Sequence, residues 1–364
     1  MSEEKKITVV LESLSLGGSE RQAIYLADGL ANEGYDVNIL AIGVSGNAES
    51  WIERLGIPYQ NMNLQLYTHA PHIIKKNKKE LIQHFKKHKP FAVIPFTYWP
   101  NFYCNWVYTK ARIQKCFWNQ RDMGLKFGKH KSVGKILSKA SHVIGNSTSC
   151  LLALREFYLV ESKDSSVIYN GVLEEFYEND YTVTASGSLN AVMIANIQKN
   201  KDHETLIRSW AILKKRLGED CPKLNLAGAK RDTYENLSEL IEELQLGELV
   251  IFNGMVNDVH ELILNMDFAV FSSNAEGSPN GLLETIAGGL PVVATDIPAI
   301  SEILGDEYDY LVKMNSPDDF AKKVMDLMGK GEKMIEVSKT NRMWIRNSYN
   351  MDAMVDSYIK LIEA

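Results

Sequence analysis

Short apolar segments of strand length alternate with segments of helical periodicity along the chain. This alternation is typical of β-α units arranged around a parallel sheet, because a strand buried on both faces is apolar throughout. Strands are predicted at residues 7–11, 37–42, 91–96, 142–146, 191–195, 223–227, 250–252, 268–272 and 292–295, and helices at 20–33, 204–217 and 233–244.

The chain has 364 residues, which is about two domains at ~150 residues each. Residues 173–190 are polar and acidic and end in Ser and Gly, so they are the best linker candidate. We therefore expect an α/β protein with two Rossmann-like domains, residues 1–172 and 191–347, that face one another across a cleft.

The four cysteines are scattered and form no Cys-x-x-Cys pair. Their spacing disfavours a zinc or redox site and indicates buried free thiols in a reducing compartment. The first residues lack a signal-peptide pattern, and no apolar run reaches the ~18 residues of a membrane span. We expect a cytoplasmic protein.

The most informative motif is Glu-Gly-Ser-Pro-Asn-Gly-Leu-Leu-Glu at residues 276–284, directly after a predicted buried strand. Its Gly and Pro favour a tight turn into a helix, with Pro279 near the first helical position. Such a turn presents the free backbone N–H groups of Gly281, Leu282 and Leu283 at the carboxyl edge of a parallel sheet. These groups and the helix dipole favour binding of a phosphate.

Glu276 and Glu284 lie on either side of this predicted anion site. Carboxylates repel phosphate, so their natural partners are hydroxyl groups, a sugar on one side and a ribose on the other. Taken alone, Glu284 would be explained more simply as a solvated residue on a helix face.

The stretch 252–304 closely resembles the donor-binding segment of glycosyltransferase family 4, a large retaining family with the GT-B fold. In that family two glutamates eight positions apart are followed by a small-residue helix and a Gly-x-Pro-Val-Val strand. The resemblance covers nearly the whole chain. It implies that an apolar-striped C-terminal helix, residues 348–364, crosses back to the first domain.

Other segments resemble the same family in order. Gly17 and Gly18 match its Gly-Gly loop, although any Rossmann-type unit needs a tight turn there, and the dehydrogenase pattern Gly-x-Gly-x-x-Gly is absent. Residues 167–172 resemble the interdomain hinge. Lys201 matches the phosphate-binding lysine, whereas Asn196 stands where the family usually has Arg, and Lys199 is near enough in sequence to compensate.

The resemblance assigns roles to these residues. Lys201 stabilises the leaving diphosphate and Glu276 holds a donor-sugar hydroxyl, so these two are the catalytic candidates, while Glu284 holds the ribose hydroxyls. The nucleotide-binding candidates are Glu284, Asn196, Gly281, Leu282 and Leu283, and the candidates for contacting the donor sugar or phosphate are Gly17, Gly18, Ser278, Pro279 and Asn280.

The first domain departs from the family, which often places a His after one of its middle strands. Residues 95–100 and 118–124 occupy those positions without a His. Tyr98, Trp99, Arg121 and Asp122 are therefore the candidates for contacting the donor sugar or the acceptor. The alternative is structural, with Trp99 in the core and Arg121 paired with Asp122.

The resemblance implies a retaining glycosyltransferase that moves a sugar from a UDP- or GDP-linked donor to a hydroxyl of a carbohydrate or lipid-linked acceptor, in polysaccharide or glycolipid biosynthesis. The leaving phosphate itself takes the acceptor proton. No Asp-x-Asp motif or His cluster offers a metal site, so neither a metal nor a cofactor is expected. Two alternatives stay open: a sugar-nucleotide epimerase of the same architecture, and a non-catalytic nucleotide- or carbohydrate-binding protein.

Charge is divided unevenly, since residues 1–170 carry 22 Lys+Arg against 14 Asp+Glu, and residues 171–364 carry 18 against 32. A predicted helix at 73–89 holds seven lysines and one acid, with Ile74, Leu81, Ile82 and Phe85 on one stripe. A second lysine cluster spans 126–139. The helix either packs on the sheet with a solvated lysine face or docks on the anionic inner face of the cell membrane. Nucleic acid is a poorer partner, because the second half of the chain is strongly acidic and no base-stacking aromatic residues are interleaved with the lysines.

Overall fold

A computed structural model describes residues 5–124, 131–158, 164–178, 189–256, 258–329 and 331–364. The chain divides into two compact units, one formed by Met1–Gly171 with Met351–Ala364 and the other by Val172–Asn350. Lys126 and Lys129 of the second lysine cluster lie outside the described residues, as do residues 179–188 of the predicted linker. The described part of that linker includes the buried residues Phe176 and Tyr177, which belong to the second unit.

The first unit is built on a seven-stranded parallel sheet. Its strands are β1 (Lys6–Leu11), β2 (Asp36–Ala41), β3 (Tyr59–Asn61), β4 (Ala92–Pro95), β5 (Lys115–Gln120), β6 (His142–Gly145) and β7 (Ser165–Val167), and its helices are α1 (Gly18–Asn32), α2 (Glu49–Arg54), α3 (Pro71–His88), α4 (Tyr98–Ala111), α5 (Lys131–Leu137) and α6 (Thr148–Tyr158). The strand order is β3-β2-β1-β4-β5-β6-β7. The chain therefore reverses its direction across the sheet between β1 and β4.

The second unit repeats the architecture on a six-stranded parallel sheet. Its strands are β8 (Asn190–Ile194), β9 (Lys223–Ala227), β10 (Val250–Gly254), β11 (Phe268–Phe271), β12 (Val292–Thr295) and β13 (Leu311–Val312), and its helices are α7 (His203–Leu217), α8 (Tyr234–Glu243), α9 (Val259–Leu264), α10 (Asn280–Ala287), α11 (Pro298–Leu304), α12 (Pro317–Met328) and α13 (Gly331–Ser348). The order β10-β9-β8-β11-β12-β13 places the reversal between β8 and β11. The two Rossmann-like halves predicted from the sequence are confirmed.

The C-terminal helix α14 (Met351–Glu363) belongs to the first unit, as predicted. Its buried stripe, Met354, Val355, Tyr358 and Ile362, joins the core that α1 and β1 also form. The Tyr358 hydroxyl donates a 2.5 Å hydrogen bond to the Asn119 side chain at the carboxyl end of β5. The helix therefore packs in the first unit, although it directly follows the second unit along the chain.

Sequence periodicity did not predict β3, β5, β7 and β13. The strand β5 ends in Asn119 and Gln120, whose polar side chains disguise a buried strand. Asn119 is fully buried because its amide donates to the Pro95 carbonyl and its backbone exchanges hydrogen bonds with Asn101. The four cysteines are buried free thiols, as expected. Across the described residues, no helix is both long and apolar enough to span a bilayer.

Candidate functional site

The reversal between β8 and β11 brings two loops together at the carboxyl edge of the second sheet. One loop follows β8 and includes Asn196 and Lys201, and the other follows β11 and includes Glu276. In open α/β sheets, the crevice at such a reversal is where ligands bind, because the loops diverge to opposite faces of the sheet. Residues predicted from separate motifs therefore meet at one point.

Lys201 and Glu276 form an ion pair at this point, with 2.5 Å between Nζ and Oε1. Their side chains are only 14% and 8% exposed. The Ser273 hydroxyl donates to the same Oε1 at 2.8 Å, so both contacts converge on one carboxylate oxygen. The pair places a fixed cation and a fixed hydrogen-bond acceptor side by side in a largely dry setting, where electrostatic interactions are strong.

The two loops are tied to each other by hydrogen bonds on either side of the ion pair. Asn274 N donates to the Asn200 carbonyl at 2.8 Å, and the Asn200 side chain donates to the Ala275 carbonyl at 3.2 Å. The Ser272 hydroxyl donates to the Asp202 carbonyl at 2.9 Å. These bonds fix the backbone of the two loops that carry Lys201 and Glu276.

Asp202 begins α7 and accepts a hydrogen bond from Thr205 N. Its φ of 39° lies in the left-handed region, which Asp enters more readily than most residues. The next residue, His203, is buried, and neither ring nitrogen has a hydrogen-bond partner. Burial and the charge of Lys201 lower the pKa of His203 to about 3, so the imidazole next to the site is neutral.

The N-terminus of α10 lies against the carboxyl end of β8. A Cβ added at Gly281 would stand 2.1 Å from the Ile194 carbonyl oxygen, so only glycine permits this approach. Pro279 is the N-cap, one position before the predicted one. The amides of Leu282 and Leu283 both donate to the Pro279 carbonyl, so the prediction that they are free is wrong.

The remaining predicted donor-site residues surround this helix terminus. Glu284 lies inside α10 and is only 5% exposed, which excludes the solvated helix face considered for it. The Asn196 side chain accepts a hydrogen bond from Ala229 N at 3.0 Å and so fixes the loop after β9. Ser278 and Asn280 are half-buried beside the N-cap, whereas Lys199 is exposed. No group of three or more His, Cys, Asp or Glu side chains among the described residues is arranged to hold a metal ion.

In the first unit, Gly17 and Gly18 begin α1 just after β1, with Gly17 as the N-cap. The extended backbone of Gly17 is open to any residue, but an added Cβ would come within 2.6 Å of the Glu20 carboxylate. Burial raises the pKa of Glu20 to about 7, and the charge of Glu12 acts in the same direction. The first turn of α1 therefore carries a carboxyl group that titrates near neutrality.

The four first-domain candidates divide into two groups. Tyr98 and Trp99 open α4 within a cluster of aromatic rings, their own centroids 5.1 Å apart, and both are half-buried. Arg121 is only 8% exposed, donates to the Asn170 side chain at 2.5 Å and stacks on Phe96. Its predicted alternative partner, Asp122, instead accepts from Gln120 and from Gly124 N.

Arg121 therefore connects β5 to residues 167–172, the predicted hinge segment, and has a structural role in holding that segment. In the same segment, Gly171 exchanges two hydrogen bonds with the Gln22 side chain. Sequence reasoning missed Ser273 and Asn200, which position the ion pair. The signal available for both was their place in the first turn beyond a buried strand, where parallel sheets carry functional side chains.

The sequence matches two families of known proteins. The family described as Glycosyl transferases group 1 matches residues 182–351, and Glycosyltransferase Family 4 matches residues 16–176. The two matched regions fall on the second and the first unit respectively.

Individual relatives carry related names. The chain is 30% identical over 191 residues to EpsD of Bacillus subtilis, covering 50% of this chain and 46% of the relative. It is 29% identical over 187 residues, half of each chain, to the N-acetylgalactosamine-N,N'-diacetylbacillosaminyl-diphospho-undecaprenol 4-alpha-N-acetylgalactosaminyltransferase of Campylobacter jejuni. An uncharacterized glycosyltransferase of Haemophilus influenzae is 21% identical over 97% of this chain and 99% of its own length. The chain thus spans about half the length of the first two relatives.

Solved structures share the fold over the full length. HepE of Anabaena in complex with UDP and glucose superposes with a TM-score of 0.84 at 16% identity, covering 99% of this chain and 100% of that chain. A glycosyltransferase from Rickettsia africae gives 0.82 at 19% identity, covering 99% and 98%. At these identities the comparison shows the fold alone, and the fold class predicted from the sequence is confirmed.

Proposed function

The chain belongs to the glycosyltransferases of group 1 and family 4, and we propose that it transfers a sugar from a nucleotide-diphosphate sugar to an acceptor hydroxyl with retention at the anomeric carbon. The observation that carries this proposal is the buried pair of Lys201 and Glu276 at the reversal of the second sheet.

The pair suits a ligand in which a phosphate and a sugar hydroxyl are close together. Lys201 supplies a cation for phosphate oxygens, and Glu276 supplies an acceptor for a hydroxyl. Because the two groups are 2.5 Å apart, their ligand groups must also be neighbours. A sugar joined directly to a diphosphate has this arrangement, and it supports a nucleotide sugar over a free sugar or a free nucleotide.

We assign the ribose to Glu284, which is buried in α10 one turn beyond the helix start. A bound ribose would donate its hydroxyls to this carboxylate. The donor nucleotide proposed is UDP or GDP, with UDP favoured because HepE, which shares the fold, has been crystallised with UDP and with UDP-glucose. The donor sugar itself is left to experiment.

In the proposed reaction the bond between the anomeric carbon and the β-phosphate oxygen breaks, and its electron pair stays on the phosphate. Lys201 and the N-terminus of α10 stabilise the charge that develops there. The acceptor hydroxyl attacks the same face of the sugar, forms the new glycosidic bond and gives its proton to the leaving phosphate. Glu276 holds the sugar through a hydroxyl and takes no proton. We propose that this scheme operates without a metal ion.

We further propose that the acceptor is lipid-linked and that the first unit docks on an anionic membrane. The Campylobacter jejuni relative described above and an Escherichia coli galactosyltransferase are named for diphospho-undecaprenol acceptors. In this chain, an open groove of about 770 Å³ lies between α3 and α4. The apolar residues that line it include Ile74, Ile82 and Trp106. The lysines that line it are Lys75, Lys78, Lys79, Lys86 and Lys110.

The groove has the chemistry of a surface that binds an anionic bilayer, because both apolar side chains and cations line it. Leu81 and Phe85 of the predicted apolar stripe are buried in the core, which leaves Ile74 and Ile82 for the groove. Lys78 lies over the Trp106 ring at 3.6 Å. Burial and the charges of Lys110 and Lys139 lower the pKa of Lys78, so the groove already concentrates positive charge.

A donor panel tests the transferase. The full chain is mixed with UDP- and GDP-sugars and an extract of lipid-linked saccharides, and free nucleoside diphosphate and new glycoside are followed by chromatography. We expect release of diphosphate with one donor, together with a product that keeps the anomeric configuration. Rearranged nucleotide sugar without release would indicate an epimerase, and donor binding without turnover would indicate a binding protein.

Liposome co-sedimentation tests the docking surface. The native chain should bind vesicles that contain roughly 30–40% anionic lipid, and this binding should weaken as the salt concentration rises. Replacing the exposed Lys75, Lys79 and Lys86 by Glu should weaken binding by at least ~100-fold, since each lysine near the surface adds ~1 kcal/mol. The matched control replaces three exposed lysines of the second unit, Lys215, Lys322 and Lys339, by Glu. Equal losses in both triple variants would refute a specific docking face.

A further inference from the structure

The ion pair at the reversal of the second sheet uses only part of the bonding capacity of each partner. Lys201 Nζ, at 2.5 Å, and the Ser273 hydroxyl, at 2.8 Å, both contact Oε1 of Glu276. No donor among the described residues contacts Oε2 of that carboxylate. An ammonium group has three donors and a carboxylate has about four acceptor positions, so both groups keep positions for a ligand. A ligand can therefore bind the pair without separating it.

Glu276 is held beside Lys201 by more than the lysine itself. Ser273, whose hydroxyl donates to Oε1, is fully buried just beyond β11. Its backbone N–H donates to the Thr295 hydroxyl at 2.9 Å, and that hydroxyl donates to the Ser273 carbonyl at 3.1 Å. Thr295 is the last residue of β12, the neighbour of β11 in the sheet. The sheet therefore fixes the carboxylate next to the cation.

The carboxylate cancels the charge that Lys201 would offer to a phosphate. The two side chains are only 14% and 8% exposed, so water screens them weakly. Two other basic groups nearby add little. Burial lowers the pKa of His203 to about 3, which leaves it neutral, and Lys199 is exposed, so solvent screens its charge. An anion at this point meets a fixed negative charge beside the fixed positive one.

A nucleotide sugar and a free nucleoside diphosphate differ at this point in two ways. The terminal phosphate of the free diphosphate has a second ionisation with a pKa of about 6, so it carries an additional negative charge at neutral pH. In the nucleotide sugar that oxygen is esterified, and the sugar brings hydroxyl groups instead. A carboxylate accepts a hydrogen bond from a hydroxyl and repels the additional charge.

We propose that Glu276 makes the donor site select a nucleotide sugar over the free nucleoside diphosphate, because its carboxylate accepts a hydroxyl of the sugar and repels the charge that transfer leaves on the terminal phosphate. This inference rests on the proposed function and adds a selectivity to it. After transfer the contact to the sugar is lost. The phosphate first holds the acceptor proton, and the repulsion begins when that proton passes to water. The site therefore holds the product less tightly than the substrate.

Calorimetry in the presence of EDTA measures the affinity of the full chain for UDP, GDP and a panel of UDP- and GDP-sugars. The native chain should bind one nucleotide sugar at least ~5-fold more tightly than the matching free diphosphate, because a charged hydrogen bond is gained and a repulsion is avoided. Glu276→Gln keeps the shape of the side chain and removes its charge. This variant should bind the free diphosphate at least ~10-fold more tightly than the native chain does, and the preference for the nucleotide sugar should disappear.

Two further variants separate the charge of Glu276 from other effects. Glu219→Gln makes the same change in net charge at an exposed position beyond the C-terminal end of α7, and it should leave every affinity unchanged. Ser273→Ala removes the hydroxyl that donates to Oε1 and keeps both charges of the pair, so the preference for the nucleotide sugar should persist. A complete loss of the preference in Ser273→Ala would refute the role of charge.

The remaining outcomes distinguish this inference from the proposed function. A folded Glu276→Gln variant that binds the free diphosphate no more tightly than the native chain would overturn the inference. A native chain that binds the free diphosphate as tightly as every nucleotide sugar would also overturn it, and this comparison decides the question if unfolding curves show that Glu276→Gln is not folded. In both cases nucleotides bind, so the donor site stands. If the native chain binds neither UDP, GDP nor any of their sugars, the proposed function fails and the inference fails with it.

Discussion

Gly281→Ala tests whether the close contact between α10 and β8 shapes the donor site. The added methyl group would stand 2.1 Å from the Ile194 carbonyl oxygen and 3.0 Å from its Cβ. Ordinary contact begins near 3.4 Å, so the start of α10 must move away from β8 by about 1.3 Å. The obstacle is backbone, which cannot rotate aside as a long side chain can.

Two effects of opposite sign decide the stability. Alanine is favoured over glycine inside a helix by about 0.5–1 kcal/mol. Overpacking costs about 1–3 kcal/mol. We therefore expect a net loss of up to about 2.5 kcal/mol, which lowers the melting temperature of a unit of this size by up to roughly 10 °C.

The functional effect should exceed the structural one. A displacement of about 1 Å at a reacting group can cost ~100-fold in rate. Single-turnover rates with the accepted donor, UDP calorimetry and thermal unfolding are measured on the same samples. The control is Gly247→Ala, where an added Cβ meets nothing within 4 Å and φ is negative, so that variant should be as stable as the native chain or more stable. A Gly281→Ala variant with native stability, UDP affinity and rate would show that this contact does not shape the site.

Three further predictions concern charged residues, and a fourth concerns dependence on a metal ion. Lys201→Ala should lower the single-turnover rate by at least ~100-fold and also destabilise the second unit, because it leaves the buried Glu276 unpaired; a native rate would remove Lys201 from the reaction. Glu284→Ala should weaken UDP binding by roughly 10- to 150-fold in calorimetry, the effect of losing charged hydrogen bonds of about 1.5–3 kcal/mol, and unchanged affinity with an intact fold would refute the ribose assignment. As pH rises from about 4.5 to about 7, the free energy of unfolding of Glu20→Gln, measured in urea, should increase relative to that of the native chain. The reason is that the native folded state holds the Glu20 proton more tightly than the unfolded state does, so the native chain loses stability as that proton is removed. A difference between the two chains that does not vary with pH would contradict the raised pKa. Chelation with EDTA should leave the transfer rate unchanged, and a rate that falls and is restored by Mg²⁺ would refute the metal-free scheme.

The fold could be predicted from the sequence to a large extent, because a parallel strand that is buried on both faces has a continuous run of apolar residues in its sequence. The apolar pattern does not predict a strand where polar residues are buried in the core. Strand β5 was missed since Asn119 and Gln120 are buried there with satisfied amides, and hydropathy cannot show that a partner is present. Short edge strands such as β3 and β7 were missed because three residues carry no periodicity.

The candidate donor-site residues could be identified from the sequence because each lies in a local motif that follows a strand. Lys201 and Glu276 are 75 positions apart, and no local pattern indicates that they pair with each other. The amides of Leu282 and Leu283 were predicted to be free because helix starts usually leave such groups unbonded. Only the local geometry, with both amides turned to the Pro279 carbonyl, corrected this.

The sequence by itself determined the class of fold, the family and the loops that hold the candidate site residues, since all three depend on short-range patterns of apolar, small and charged residues. Only the tertiary structure decided which distant side chains meet. The approach of Glu12 to Tyr67 and Thr97, 55 and 85 positions away, follows from the order of strands in the sheet. Strand order is set by the packing of the whole unit, and no local segment encodes it.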